Sequence, residues 1–117
     1  MRKTDKHKKA RDSLVYEPLL RAEVVAVTAG REKGGTFVKV GRPDRASALI
    51  CDGKKRTVDR PKKKNQKHLR VLAPVAQEVW QDIVKRRQSG TADAAIRNLL
   101  KQWQVAERKD PSWLKKM

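Results

Sequence analysis

Two runs of branched apolar residues, separated by a glycine-rich turn, most constrain the fold of this chain. The first run is EVVAVT, Glu23 to Thr28, and the second is TFVKVG, Thr36 to Gly41, in which apolar and polar positions alternate. Runs with this composition and period are typical of β-strands. The segment AGREKGG between them is short enough to join an antiparallel pair. We therefore expect a β-hairpin across residues 23–41.

Three further segments carry turn or strand signals. The segment GRPDR, residues 41–45, has the proline and aspartate of a turn. Asp52-Gly53 is typical of a two-residue hairpin turn, which predicts flanking strands at Ala46–Cys51 and Lys54–Val58. The segment DRPKKKNQ then interrupts the pattern, and KHLRVL is a candidate closing strand.

Short strands joined by tight turns within about fifty residues predict a mainly β fold, a small SH3-like barrel. Closure of the barrel would remove the exposed edges of so small a sheet. The expected organisation is a basic, flexible N-terminal arm at residues 1–20, the barrel at 21–73, and a helical hairpin with a basic tail at 74–117.

The last third of the chain has helical periodicity. Val75, Val79 and Ile83 repeat at four-residue spacing, flanked by Ala76, Trp80 and Val84, and Pro74 suits a first helical turn. After Gly90, Thr91 is a candidate N-cap. A second apolar helix face is then predicted, consisting of Ala95, Ile96, Leu99, Leu100 and Trp103.

The charge of the chain points to a polyanionic partner. Lys and Arg total 30 against 13 Asp and Glu, a formal net charge of +17. Self-repulsion at this charge disfavours compaction, and nucleic acid relieves it because each neutralised phosphate releases a condensed counterion. Nucleic acid is therefore the expected partner.

The cations concentrate in the glycine-rich turn and in a tract from Lys54 to Arg70, where one sign of charge dominates. Glycines in the turn leave no Cβ to hold a partner's backbone away. The alternative for both segments is an ordinary loop with solvated charges. The predicted RNA-contacting residues are Gly30, Arg31, Lys33, Gly34, Lys54, Lys55, Arg56, Arg60, Lys62, Lys63, Lys64, Lys67 and His68.

The segments VVAVTAGREKGGTFVKV and ALICDGKKRTVDRPKKKNQKHL resemble the KOW-domain RNA-binding family. The similarity is greatest to the bacterial branch related to large-subunit ribosomal protein fourteen of archaea and eukaryotes. It covers Glu23 to Leu72. The resemblance implies an SH3-like barrel that binds structured RNA, usually ribosomal RNA, without catalysis.

The family's motif positions correspond to Gly30, Lys33-Gly34, Asp52-Gly53, Arg56, Pro61 through Lys64, and His68-Leu69. Two departures matter. The general pattern has a further glycine shortly after Lys-Gly, whereas this chain continues Gly35-Thr36-Phe37, a change that the ribosomal-protein branch tolerates. The helical segment after Pro74 lies outside the resemblance.

Other classes of function have little support in the sequence. Cys51 is the only cysteine, which excludes an internal disulfide and a thiolate zinc cluster, and His7 and His68 have no metal-ligand spacing. No paired carboxylates, nucleophile elbow or phosphate-loop motif is present. We therefore expect no catalysis, cofactor or metal, and Cys51 and Phe37 are interpreted as ordinary strand and core residues.

The competing hypothesis is a transcription- or translation-associated protein-interaction module that docks through the KOW barrel and the tryptophan-bearing helices, the helices contacting ribosomal proteins or another protein. Trp80 and Trp103 lie on apolar faces and are expected in the core, so Trp113 in the tail is the better external contact. A membrane-surface protein is disfavoured because the basic stripe is strand and loop. Without a bilayer-length apolar run or a secretory signal, the expected location is cytoplasmic and ribosome-associated.

Overall fold

The computed structural model describes residues 16–109, in which five β-strands precede two α-helices. The strands are β1 Pro18–Val27, β2 Thr36–Asp44, β3 Ser47–Cys51, β4 Lys62–Asn65 and β5 Leu69–Pro74, with a 3-10 turn, Gln66–His68, before β5. The helices are α1 Gln77–Ser89 and α2 Ala92–Lys109. The predicted mainly β fold with two C-terminal helices is confirmed. Most of the predicted N-terminal arm, and Trp113, lie outside the described residues.

The five strands form one antiparallel sheet in the order β4-β3-β2-β1-β5. β4 and β5 each pair with a single neighbour, so they form the two edges of an open sheet. The closed barrel expected from the sequence is therefore not formed. Register shifts interrupt the pairing of β1 with β2 and with β5. Such irregularities bend a strand and increase its twist.

The turn predicted at residues 41–45 lies further along the chain. β2 continues through Asp44, and Arg45 and Ala46 form the turn. The backbone N–H of Ala46 donates a hydrogen bond to the Asp44 carboxylate at 2.9 Å. Pro43 is accommodated within the strand because the register between β2 and β3 shifts between Gly41 and Asp44. No regular ladder bond is therefore required there.

The hairpin predicted at Asp52-Gly53 is wrong. Residues 54–58 form no strand, and β3 pairs instead with β4, the lysine-rich segment expected to interrupt the pattern. Gly53 has the expected positive φ, 78°. It also packs closely against α2, since a Cβ there would lie 2.5 Å from the Asp93 carbonyl oxygen. The Asp52 carboxylate accepts hydrogen bonds from the backbone of Lys54 and Arg56 at 2.9 and 3.0 Å and so holds the loop.

One face of the sheet packs against both helices. Its cluster joins Val24, Val38 and Leu49 of the sheet with Trp80 and Ile83 of α1. Trp80 is 2% exposed and its indole N–H donates to the Leu19 carbonyl at 2.7 Å, which confirms it as a core residue.

The helix positions differ in part from the prediction. α1 begins at Gln77 rather than in a turn containing Pro74, because Pro74 ends β5 and Val75 N–H bonds to the Ala22 carbonyl at 3.0 Å. Val79 is 41% exposed, so the buried face of α1 is narrower than expected.

The predicted apolar face of α2 is confirmed. Ile96 and Leu100 are buried, and Ala95, Leu99 and Trp103 are partly buried against the same cluster. Tyr16 also packs there, and its hydroxyl donates to the Val58 carbonyl at 2.7 Å. The hydrophobic core therefore includes residues from both sides of Pro74.

The other face of the sheet has a smaller apolar cluster, formed by Val25, Val27, Phe37 and Ile50 with Leu69 packed against it. Phe37 is buried, as predicted. Cys51 is fully buried in the larger cluster, and this burial raises the pKa of its thiol. The thiol is therefore protonated at neutral pH, consistent with its interpretation as an ordinary strand residue. No helix within residues 16–109 is long and apolar enough to cross a membrane.

Candidate nucleic-acid interface

The glycine-rich turn, residues 28–35, is closed by its own backbone. Gly34 N–H donates to the Val27 carbonyl at 2.8 Å and Lys33 N–H to the Gly30 carbonyl at 3.1 Å. Gly30 and Gly34 have φ values of 89° and 88°, which side chains rarely permit. Because these amides are hydrogen-bonded within the turn, the groups that the turn offers to a partner are mainly the exposed side chains of Arg31 and Lys33.

Glu32 connects this turn to the basic tract. Its carboxylate lies 3.2 Å from Lys64 Nζ and 3.5 Å from Arg56 Nη2. The Lys64 side chain is only 10% exposed and that of Glu32 17%, so this pair is largely shielded from water. Among the predicted contact residues, Lys64 is therefore a structural cation, and Arg56, at 39%, is partly committed to the same acid.

The charge state of Glu32 follows from these contacts. Partial burial alone would raise the pKa of its carboxyl, but the hydrogen bond from Lys64, a backbone hydrogen bond, and the nearby charges of Lys64 and Lys62 outweigh burial. The net pKa is lowered, so Glu32 is ionised at neutral pH. Sequence reasoning missed this residue because an acid within a cationic turn resembles a solubilising charge.

Gly30 lies in close contact with the Lys64 side chain, and its φ of 89° is the feature that favours glycine there. A Cβ at position 30 would occupy the place of the Lys64 ammonium. The turn and β4 are therefore in direct contact, which brings together two segments that are distant in the sequence.

Strand alternation divides the three lysines of β4 between two faces. Lys62 and Lys64 are half-buried, pair with Ile50 and Ala48, and lie on the side of the smaller apolar cluster. Lys63 is exposed on the opposite face, where its ammonium lies 3.5 Å from the Asp44 carboxylate. The predicted stripe is therefore not continuous along β4.

The loop between β3 and β4, residues 52–61, and the 3-10 turn carry the remaining predicted residues. Lys54, Lys55 and Arg60 are exposed in the loop, and Lys67 is exposed in the turn. His68 is half-buried, and its carbonyl accepts a hydrogen bond from Thr28 N–H at 2.8 Å. This bond places the 3-10 turn beside the glycine-rich turn.

Most acids of the described chain are engaged within the fold. Glu23, Asp59 and Asp82 pair with Lys39, Arg87 and Arg86 at 3.6, 3.1 and 2.7 Å. The Asp93 carboxylate accepts from Val58 N–H at 2.7 Å. Among the side chains of residues 16–106, the exposed predicted cations that form no ion pair are Arg31, Lys33, Lys54, Lys55, Arg60 and Lys67.

Helix α2 adds two cations that the sequence analysis did not select. Arg97 and Lys101 are both exposed and lie one helical turn apart, beside the loop that contains Lys54. Their four-residue spacing, on a helix with a well-defined apolar face, was the available signal. Only the contact of α2 with the loop relates that spacing to the basic tract.

Comparison with models of known protein families and with curated proteins gave no match. Among the described residues, no three His, Cys, Asp or Glu side chains form a group that could hold a metal ion.

Proposed function

We propose that this protein binds folded RNA, ribosomal RNA in particular, through the exposed cations of the glycine-rich turn, the 52–61 loop and the 3-10 turn, without catalysing a reaction. One observation carries the proposal: most described acids are engaged within the fold, whereas Arg31, Lys33, Lys54, Lys55, Arg60 and Lys67 are exposed and form no ion pair with a side chain of residues 16–106. Phosphate groups are the ligand that satisfies several separated cations at once.

The proposed recognition depends on backbone shape rather than on base sequence. The deep major groove of A-form RNA is hard for side chains to read, so contacts to phosphates and riboses dominate. Stacking on bases requires exposed aromatic rings, but within residues 16–109 Phe37 and Trp80 are buried, and Tyr16 and Trp103 are partly buried against the larger cluster. Binding should therefore tolerate many sequences.

We also propose that the sheet is an SH3-like fold of the KOW type that is left open between β4 and β5. The five-stranded antiparallel order, with a helical turn before the last strand, is compatible with that assignment. The motif residues Gly30, Lys33 and Gly34 close the turn between β1 and β2. The expected association with ribosomes, and the expected cytoplasmic location, form part of the same proposal.

The direct test is the salt dependence of binding to a fluorescein-labelled RNA hairpin of mixed sequence, followed by fluorescence anisotropy. Counterion release predicts that the affinity falls at least about tenfold between about 50 and 200 mM salt. An affinity that stays constant over this range would contradict the proposal, as would failure to bind at the lower salt concentration.

A double variant, Arg31→Gln with Lys33→Gln, tests the location of the interface. The loss of two phosphate contacts should weaken binding about tenfold, equivalent to about 1.4 kcal/mol. The matched control is Arg21→Gln with Lys85→Gln, which removes the same charge from exposed positions on β1 and α1. Equal weakening in both variants would mean that only net charge matters and would refute a localised interface.

A protein partner is the second candidate, favoured by one observation. Leu20 is 86% exposed and lies beside a groove lined by Leu19, Trp80 and Val84, between the start of β1 and α1. A partner that copurifies with the wild-type chain after RNase treatment, but not with Leu20→Ser, would support docking there. Loss of every partner on RNase treatment would argue against it.

A further inference from the structure

A cleft lies where α2 meets the loop after β3. Its volume is about 410 Å³, and its lining includes Thr36, Asp52, Lys54, Arg97, Lys101 and Gln104. Thr36 directly follows the glycine-rich turn, so the cleft adjoins the interface proposed above. It therefore joins α2 to the basic surface of the sheet.

The wall of the cleft is held by specific contacts. Gly53 is buried against α2, and the Arg97 guanidinium donates a hydrogen bond to the Gly53 carbonyl at 2.5 Å. A guanidinium has five N–H donors, so this single bond fixes Arg97 in position and leaves most of its donors for a ligand. At the other end of the loop, Asp93 in the first turn of α2 accepts from Val58 N–H. The loop and the helix thus form one fixed surface.

The charges in the cleft favour an anion. Lys54, Arg97 and Lys101 form no ion pair with any side chain in the range 16–106. Asp52 is the single acid among the lining residues, and its carboxylate is engaged by the backbone N–H groups of Lys54 and Arg56. Cations therefore outnumber acids by three to one at a site that also offers the neutral polar groups of Thr36 and Gln104.

We propose that this cleft is a phosphate-binding subsite that holds consecutive phosphates of an RNA backbone, so that α2 is part of the RNA interface. The inference rests on the proposed RNA-binding function and extends it to the helices. Lys54 and Lys101 contact the phosphates as mobile charges, whereas Arg97 offers donors in a fixed planar arrangement suited to phosphate oxygens.

The test uses the full chain with Lys54→Gln and Lys101→Gln combined, and the same labelled RNA hairpin. Neither ammonium makes a hydrogen bond or ion pair within the described structure, so folding should be retained, which circular dichroism can verify. Affinity should fall about tenfold, and the slope of log affinity against log salt should become shallower by about 1 to 2. The Arg21→Gln, Lys85→Gln control should change both quantities much less.

The outcomes separate this inference from the function on which it rests. If the wild-type protein binds RNA with steep salt dependence but the cleft variant behaves like the control, the subsite is refuted and RNA binding stands. If the wild-type protein does not bind RNA, both proposals fall.

A second measurement needs no variant. Acylation of lysines in the wild-type protein, read by mass spectrometry, should show Lys54 and Lys101 protected at least about threefold by the RNA hairpin. Lys85 on α1 should stay reactive. Equal reactivity of all three lysines with and without RNA would overturn the subsite.

Discussion

On the face of the sheet that packs against α1 and α2, the buried side chains are apolar, whereas on the opposite face a small apolar cluster is bordered by charged residues. The helix-covered face contains Trp80, Ile83 and Ile96, each at most 2% exposed. The opposite face relies on Val25, Phe37 and their neighbours, with the Lys64–Glu32 pair beside them. The larger apolar cluster and the shielded Lys64–Glu32 pair thus lie on different faces of the sheet.

The contrast indicates how so basic a chain limits repulsion among its own cations. The free energy of apolar burial is concentrated where no cation is needed. On the other face, Glu32 neutralises Lys64 and draws in Arg56, which reduces repulsion among the cations of β4 and the adjoining loops.

The largest expected effect is on the helix-covered face. Trp80→Ala should lower the free energy of unfolding by about 3–5 kcal/mol, because it opens a cavity and removes the bond to the Leu19 carbonyl. Urea denaturation followed by circular dichroism measures this. Val79→Ala, one position earlier and 41% exposed, should cost no more than about 0.5 kcal/mol. An equal decrease in the free energy of unfolding for the two variants would mean that α1 does not pack against the sheet through Trp80.

The contact between the loop and α2 should show the next largest effect. Gly53→Ala should cost about 2–3 kcal/mol, because φ is 78° and the new Cβ would collide with the Asp93 carbonyl. Gly90 is the matched control, since it has the same φ but open space around it, and Gly90→Ala should cost only about 1 kcal/mol. Thermal unfolding of both variants would detect the difference, and identical costs would exclude close packing at Gly53.

On the charged face, Glu32→Gln should cost about 1–2 kcal/mol at neutral pH, because it leaves the shielded Lys64 ammonium without its acid. The folded-state pKa of Glu32 is lowered, so its stabilisation is complete above the unfolded-state value of about 4.3. It declines as the pH falls through the lower folded-state value. The difference in unfolding free energy between wild type and variant should therefore shrink from pH 7 toward pH 3. A difference independent of pH would show that the Glu32 charge does not stabilise the fold.

The smallest effects should separate neighbouring lysines of β4. Lys64→Gln should lower the free energy of unfolding by about 1 kcal/mol and change RNA affinity little, because its ammonium is occupied by Glu32. Lys63→Gln should leave stability within about 0.5 kcal/mol, since its pair with Asp44 is exposed, and should also change RNA affinity little, because Lys63 lies on the opposite face of β4, outside the proposed interface. Denaturation and anisotropy on the same two variants measure both quantities. The reverse pattern would mean that the faces of β4 are wrongly assigned.

The elements that were predicted correctly are those whose local residue pattern is enough to determine their structure. The branched residues of β1 and β2, and the apolar face of α2 with Ile96 and Leu100, form the expected structures because local periodicity and burial agree there.

The failures share one physical cause, contacts between segments distant in sequence. β4 consists of three lysines and an asparagine. It forms a strand only because it pairs with β3 and because Glu32 forms an ion pair with Lys64. Gly53 was assigned to a hairpin because its positive φ is visible in the sequence pattern, whereas the α2 backbone against it is not. Likewise, the prediction selected Lys64 for RNA and omitted Arg97, since charge alone does not reveal which cation is already paired.

The lysines of β4 also affect how copies of this protein meet. β4 is an edge of the sheet, and an unpaired edge can recruit a strand from another molecule. Two such edges brought together would align ammonium groups against each other, which opposes self-association in dilute salt. A polyanion that screens these charges would remove that protection, so concentrated mixtures with nucleic acid are the condition under which aggregation through β4 should first be seen.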